Sequence, residues 1–418
     1  MIVTVIGLGF VGLTTAVGFS AKGHKVFGYD IDDAKAELIR SGSIPFYEPG
    51  LEEALHHGLS HNLEIVGESQ LNRALVTSDV IFYCVGTPCA DDGTANLSYL
   101  CQAIENTAEK FEGSLKTVVV KSTVPPQTTK RVIRPLLEQM GLRIGVDVGL
   151  AVNPEFLREG HAWEDFISPD RVVIGCDDKL SRATLNALYQ PFAVPVFFVS
   201  YSAAEFIKYM SNTLLATMIS FANEMSMVAD KFEDIDVKQS FHLLSMDKRW
   251  SGTPASMTSY VFPGCGFGGY CLPKDTLAFI RKAEETGHHP GLLNSVLKVN
   301  DEVKEFVVSK IAAKVPLEET IGILGLAFKP GSNDTRGTPA ADIIRLLMQR
   351  GYQHIVAYDP MAMSEFRDNY PFRVAYVNSL EEMSKSAKYL VVLTAWSEFK
   401  EKQHLFDEGS VLDFRYFL

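Results

Sequence analysis

Lysine and arginine never gather into a block, and 39 basic residues against 51 acidic ones leave a formal net charge of −12. That balance excludes nucleic acid as a partner, since a phosphate backbone calls for a basic face. An anionic ligand would need a local pocket of lysine and arginine instead. No apolar run approaches the roughly 20 residues of a membrane span. The first apolar run is short and turns into a glycine loop, unlike a secretory leader, so a cytoplasmic location without membrane attachment is expected. Six cysteines, at 84, 89, 101, 176, 265 and 271, have neither metal-ligand spacing nor the density of a disulfide scaffold. Reduced thiols and no metal are the simplest expectation. No repeat of solenoid period and no proline-rich linker interrupts the 418 residues, a length for two or three domains.

What is present begins at the N-terminus. The apolar run 1–6 leads into Gly7-Leu-Gly9-Phe-Val11-Gly12 and then a helix-like stretch. In such a strand–turn–helix the first glycine makes the turn, the second lets a pyrophosphate approach, and the third packs helix on strand. The helix N-terminus offers its positive dipole end to phosphates. A second strand, 24–29, ends at Asp30, where a carboxylate would hold ribose hydroxyls and repel a 2′-phosphate. This predicts NAD rather than NADP.

Strand and helix signals alternate to about residue 198, with strands expected at 80–85, 116–120, 146–152, 171–174 and 194–199. That pattern predicts a parallel sheet covered by helices. From Ser202 to about Asp230 there is neither Pro nor Gly and many good helix formers, which predicts one long helix. Helix is expected again over 275–314, interrupted near Gly287–Gly291. Strand-like runs at 321–328, 354–358, 389–394 and 410–414 then predict a second α/β unit. The fold class expected is α/β, with two Rossmann-like doubly wound domains joined by a long central helix.

Between the two lies Gly264-Cys-Gly-Phe-Gly-Gly-Tyr-Cys271-Leu-Pro-Lys274-Asp275. Glycines allow close approach of the backbone to a ligand. Cys271 would face that ligand, with Lys274 favouring its thiolate and Asp275 able to orient a water or an amine. Four glycines in six residues, 264–269, are a poor way to build a core. Thr87 and Thr123 follow strands and are placed to bond a cofactor or a water. Glu155 and Glu159 are four apart, which on a helical turn would set two like charges on one face and raise a carboxyl pKa. Lys208 and Asn212, four apart on the long helix among apolar neighbours, are donors for an oxyanion. Lys329 and Arg336 flank a charged turn that would meet phosphates. Each of these, alone, reads equally as a strand end, a solvated acidic turn or a snorkelling lysine.

In order, the motifs resemble the UDP-glucose 6-dehydrogenase family, within the broader UDP-glucose/GDP-mannose dehydrogenases. The resemblance runs nearly the whole chain through 7–12, 47–51, 122–125, 153–160, 169–175, 208–212, 266–275, 328–336 and 413–415. It implies an NAD-binding domain over 1–200, a central helical dimerisation domain with the cysteine loop over 201–314, and a UDP-sugar-binding domain over 315–418. It also implies a homodimer that turns over UDP-glucose. The cofactor contacts carried over are Gly7, Gly9, Val11, Gly12, Asp30, Lys35, Thr87, Thr123, Glu159, Lys274 and Arg336. The sugar-nucleotide contacts are Glu155, Glu159, Lys208, Asn212, Tyr260, Val261, Phe262, Pro263, Gly264, Gly268, Cys271, Lys329 and Arg415. Cys271 matches the nucleophile of a four-electron oxidation. Asp275, Glu155 and Thr123 match groups that handle water and protons, and Lys208 and Asn212 the oxyanion donors. Two departures stand out: the family's inter-subunit arginine falls on Ala255 here, leaving Arg249 or no residue for that contact, and Gly337 replaces a frequent acidic residue. Rival readings are a GDP-mannose enzyme, a two-electron β-hydroxyacid dehydrogenase and an NAD-linked thiol sensor.

Overall fold

Short apolar segments without helical period become strands, and those buried on both faces run parallel under covering helices. The computed structural model describes residues 1–111, 115–229, 233–247, 262–285, 287, 289–407 and 409–418, the side chains of 224, 225, 227 and 228 excepted. Two units emerge, Met1–Met210 and Ser211–Leu418. The division falls inside one 29-residue helix, Tyr201–Ala229, about 43 Å long. Its bounds lie within a residue of those expected from composition. No described helix is long and apolar enough to cross a membrane.

In the first unit, β1 (Ile2–Ile6), β2 (Lys25–Tyr29), β3 (Leu63–Ile65), β4 (Val80–Tyr83), β5 (Lys116–Val120), β6 (Val148–Val152), β7 (Val172–Gly175) and β8 (Val196–Val199) form one sheet. Its order is β3-β2-β1-β4-β5-β6-β7-β8. The order reverses between β1 and β4, so the carboxyl ends of those strands open a crevice for a ligand. One feature departs from the expected all-parallel sheet: β6 and β7 meet antiparallel, through Val152 and Gly175. Gly175 must be small there, because a Cβ would come within 2.6 Å of Val152 and 2.9 Å of Ala204. The helix Phe10–Ala21 packs Leu13, Ala16, Val17 and Phe19 inward, and Phe19 sits amid Phe82, Phe166, Tyr189 and Phe192.

The second unit holds β9 (Ile321–Leu324), β10 (Ile355–Tyr358), β11 (Ala375–Tyr376), β12 (Tyr389–Val392) and β13 (Val411–Asp413), all parallel, in the order β11-β10-β9-β12-β13. Helices Cys271–Glu284 and Gly291–Lys314 flank the break expected near Gly287. The latter buries Val296, Val299, Val303, Val307 and Ile311, a three-and-four spacing that lays one stripe on the core. Two strands escaped the sequence reading, β3 and β11, at three and two residues too short to show alternation.

The tightest constraint is Gly12, where a Cβ would stand 1.7 Å from the Gly7 carbonyl oxygen. Gly12→Ala should therefore push the first helix off β1 and cost about 1–3 kcal/mol. Urea unfolding should show a lower midpoint at unchanged slope. A midpoint equal to the parent's would contradict the packing described.

Candidate active site

The crevice end of the first unit is built from backbone. Gly7 has φ +88°, which suits glycine, and the Cβ it lacks would press on the Cys84 carbonyl at 3.0 Å. Around the missing Cβ of Gly9 no described atom lies within 4 Å, so the turn leaves an open cradle there. Gly9 is the N-cap of the first helix, and no side chain caps it. Its first-turn N–H groups, with Val11 among them, therefore point their dipole at that cradle. Asp30 is buried, with Oδ2 accepting from Leu8 N–H at 2.7 Å and Oδ1 from Asp32 N–H at 2.9 Å. Lys35 reaches both oxygens at 3.2 Å. Asp30 thus braces the glycine turn and carries a paired charge beside it. An open cradle, an uncapped helix and a carboxylate after the second strand fit a dinucleotide, with phosphates at the turn and ribose at Asp30.

Two strand-end loops of this unit are tied together: the buried Thr87 hydroxyl donates to the Thr123 carbonyl at 2.8 Å. After β6 the chain stays extended. No helix covers 153–158, so Glu155 and Glu159 do not share a helical face. The like-charge expectation fails too. Glu155 accepts from Lys208 at 2.8 Å, and both are under a tenth exposed. Burial opposes the charge on Glu155, but Lys208, the Leu157 N–H at 2.6 Å and Lys121 outweigh it and hold the carboxyl below its usual range. Glu159 lies half-buried in the next turn, whose Gly160 N–H donates to buried Glu48 at 2.9 Å.

In the second unit the glycine loop is clamped by two asparagines that sequence reasoning missed. Asn223 Oδ1 accepts from Gly264 N–H at 2.5 Å, and Asn300 holds Phe267 through both its N–H, at 2.7 Å, and its carbonyl, at 3.2 Å. Their only sequence signal is a carboxamide inside a helix. Glycine is required at 268, where a Cβ would strike the Gly337 backbone carbonyl at 2.3 Å, whereas at 264 it would meet the movable tip of Arg415 at 2.0 Å. Phe262 lies edge-on to Phe241 and Pro263 is buried. Cys271 is exposed and is the first residue of its helix, which starts four residues earlier than expected. The thiol thus lies at a positive dipole end, a setting that favours thiolate. One turn on, buried Asp275 accepts from Asn212 Nδ2 and from Lys274 Nζ, each at 2.5 Å. Burial works against the Lys274 charge, yet Asp275, with Cys271 and Tyr270 adding, keeps its pKa above the ordinary lysine value.

Arg336 pairs with Asp334 at 2.6 Å and lies over the Tyr270 ring, 4.8 Å from its centroid. Lys274 faces the same ring at 5.3 Å, so two cations approach Tyr270, the residue before the thiol. Lys329 lies over Phe328. The expected contacts at Tyr260 and Val261, and Arg249, lie outside the described residues. None of the six cysteines forms a disulfide, and no metal-ligand group of three occurs among the described residues.

Turn, carboxylate and sheet order in the first unit define a dinucleotide-dependent dehydrogenase, and the second unit adds a thiol with charged neighbours. Family comparison agrees along the chain. Residues 1–193 match the NAD binding domain of the UDP-glucose/GDP-mannose dehydrogenase family, 202–302 its central domain, and 322–418 its UDP binding domain. UDP-glucose 6-dehydrogenase YwqF of Bacillus subtilis is 37% identical, over 96% of this chain and 89% of that protein. Among solved structures, a UDP-glucose dehydrogenase of Pyrobaculum islandicum aligns with TM-score 0.90 at 38% identity, covering 99% of this chain and 94% of that one. A UDP-D-ManNAc dehydrogenase of Pyrococcus horikoshii aligns at 0.85 and 29%, covering 100% and 96%. The chain belongs to the UDP-glucose/GDP-mannose dehydrogenase family, as an NAD-dependent oxidoreductase.

Cofactor choice can be tested at Asp30. Asp30→Asn keeps an acceptor for Leu8 N–H but drops the charge that repels a 2′-phosphate. Its kcat/KM with NAD should fall about tenfold, the loss of one charge-assisted hydrogen bond, while that with NADP rises or holds. Equal use of both cofactors by the unmodified protein would refute this assignment of Asp30.

Proposed function

We propose that this chain oxidises the C6 alcohol of UDP-glucose to a carboxylate, giving UDP-glucuronate. The observation that carries the reading is Cys271, exposed at a helix start behind a glycine loop, with the Asn212–Asp275–Lys274 cluster one turn on. A two-electron alcohol dehydrogenation needs no such thiol. The match to a UDP binding domain and the printed names of the relatives support the nucleotide and the sugar.

NAD, when bound, supplies the hydride acceptor for both oxidations, two per turnover. The chain's own residues do the rest. Cys271 thiolate adds to the aldehyde carbon, forming a C–S bond and retaining the aldehyde as a thiohemiacetal. The second oxidation leaves a thioester, whose C–S bond breaks when water adds and the thiolate departs. Lys208 and Asn212 donate to the developing oxyanions. Glu155 aims Lys208 through their ion pair and, being ionised, is the group available there to accept a proton. Asp275, fixed by two donors, and Thr123 orient the hydrolytic water. Gly7, Gly9, Val11, Gly12, Asp30, Lys35, Thr87, Glu159, Lys274 and Arg336 are assigned to the cofactor, and Tyr260, Val261, Phe262, Pro263, Gly264, Gly268, Lys329 and Arg415 to the sugar nucleotide. The three-part division at 1–200, 201–314 and 315–418 and a cytoplasmic location belong to the same reading.

Assembly follows from the long helix. Phe206, Met210, Leu214 and Phe221 are 43–49% exposed and fall on one stripe of the helix by its 100° advance per residue. A stripe of this kind is covered by a second copy of the chain in a homodimer. Leu214→Glu should convert the dimer to a 46.2 kDa monomer in sedimentation. A parent protein already monomeric at micromolar concentration would rule the dimer out.

The chemistry is tested by stoichiometry and by the nucleophile. The parent protein should release two NADH per UDP-glucose consumed. One would point to a simple alcohol dehydrogenase and none to a thiol sensor, and turnover of GDP-mannose instead would reassign the sugar nucleotide. Cys271→Ser should lower steady-state turnover by at least about 10³-fold, because an alkoxide forms and releases the acyl group poorly. A serine-linked uronyl adduct should then be visible by intact-protein mass spectrometry. Full turnover by that variant would end the thioester route.

A further inference from the structure

Glu155 sits on a loop with no regular structure of its own, and that loop is fastened from below. Asn153, two residues before Glu155, leaves β6 with its N–H bonded to the Val120 carbonyl at 2.9 Å. Its side-chain Nδ2 donates to the Val173 carbonyl at 2.9 Å. Its Oδ1 accepts from the Tyr189 hydroxyl at 2.5 Å and from the Lys121 ammonium at 3.1 Å. Lys121, the residue after β5, also reaches the Asn153 backbone carbonyl at 3.4 Å. It is only 4% exposed, and its ammonium lies 5.9 Å from the centroid of the Phe166 ring.

A cation so deep is expensive, and an apolar side chain of similar volume would fill the space without that cost. Burial drives the Lys121 pKa down to about 8, with Cys84 and Glu155 pulling it up and Lys208 pushing it further down. Cys84 stays a thiol, since burial raises its pKa to about 12 despite Lys121. The Tyr189 phenol is raised by burial as well and stays neutral. Glu155 is therefore the anion that Lys121 serves, after Lys208.

We propose that Lys121 is a positioning residue of the reaction, clamping Asn153 and hence the Glu155 loop, and giving that carboxylate a second positive neighbour. This rests on the reading of Glu155 as a proton-handling group. Neither sequence motif nor the family comparison assigned Lys121 a role.

The consequence has a definite sign. A nearby positive charge lowers a carboxyl pKa, so removing it raises the Glu155 pKa. A step that needs the ionised carboxylate then loses its acid side at higher pH. The experiment is the pH dependence of kcat/KM for UDP-glucose in the full-length protein, with thermal melts to certify folding. Lys121→Met removes clamp and charge. Lys121→Gln keeps a donor for Asn153 and removes the charge alone, and it decides the question should the methionine variant fail to fold. In both the acid limb should move to higher pH, and Lys121→Met should lose about tenfold or more in kcat besides. Lys121→Arg, which keeps the charge, should leave the limb where it was. An acid limb at the parent position in folded Lys121→Gln overturns the proposal. Glu155→Gln separates the two levels: abolition of the limb upholds Glu155 as the titrating group, whereas an unchanged limb there removes the role of Glu155 itself.

Discussion

Buried charge must be paired, and both units are arranged around that constraint. An unpaired ion in a protein interior costs several kcal/mol, and several buried charged side chains have a fixed partner. In the first unit Lys208 meets Glu155, and Lys121 meets Asn153, two residues before that carboxylate. Glu205 accepts from the Gln127 and Thr129 N–H groups and ties the start of the long helix to the loop after Thr123. In the second unit Asp275 takes both Lys274 and Asn212. Against burial, Lys208 holds the Glu155 carboxyl below its usual range and Asp275 holds the Lys274 ammonium above its own, and these partners also fix the side chains in direction. A donor already aimed gives up no rotamer freedom when charge develops, which is what preorganised electrostatic catalysis requires.

A second constraint recurs at the strand ends. In each sheet the first strand is followed by a tight glycine turn whose N–H groups bond an aspartate after the next strand. Leu8 bonds Asp30, and Leu326 and Ala327 bond Asp359, the two leucine contacts both at 2.7 Å. Asp359 is fully buried and its Oδ2 also accepts from the Trp396 indole at 3.1 Å. Asp30 has Lys35 there instead, on a side chain about a third exposed. One carboxylate is thus sealed by an aromatic and the other remains beside the open cradle at Gly9. The same backbone device is closed over in the second sheet and stands open in the first.

Much of this was legible in sequence because it is local. A glycine turn between a strand and a helix, an aspartate after the second strand, and a proline-free run of helix formers each report on their own neighbourhood, and the turn and helix fell where expected. Asp359 carried the same Tyr-Asp signal as Asp30 but passed unread, since the turn before it lacks the full glycine pattern. Glu155 and Glu159 misled through spacing alone: four residues suit a helix, but the chain over 153–158 stays irregular. β3 and β11 were too short to show a period.

The sequence by itself determined the order of elements, the two sheets, the long helix and the position of the thiol behind its glycine loop. Those follow from backbone preferences and hydrophobic period within a few neighbouring residues. Only the tertiary structure decided which charges meet. Lys208 on a helix and Glu155 on a strand-end loop are far apart in the chain, as are Lys121 and Asn153, or Asn223 and Gly264. Nothing in the residues between them encodes the encounter. In the first unit it depends on how the strands order in the sheet, because that order brings their carboxyl ends together with these side chains buried from water. The loss of water there is what makes pairing obligatory and sets the ionisation on which the proposed chemistry depends.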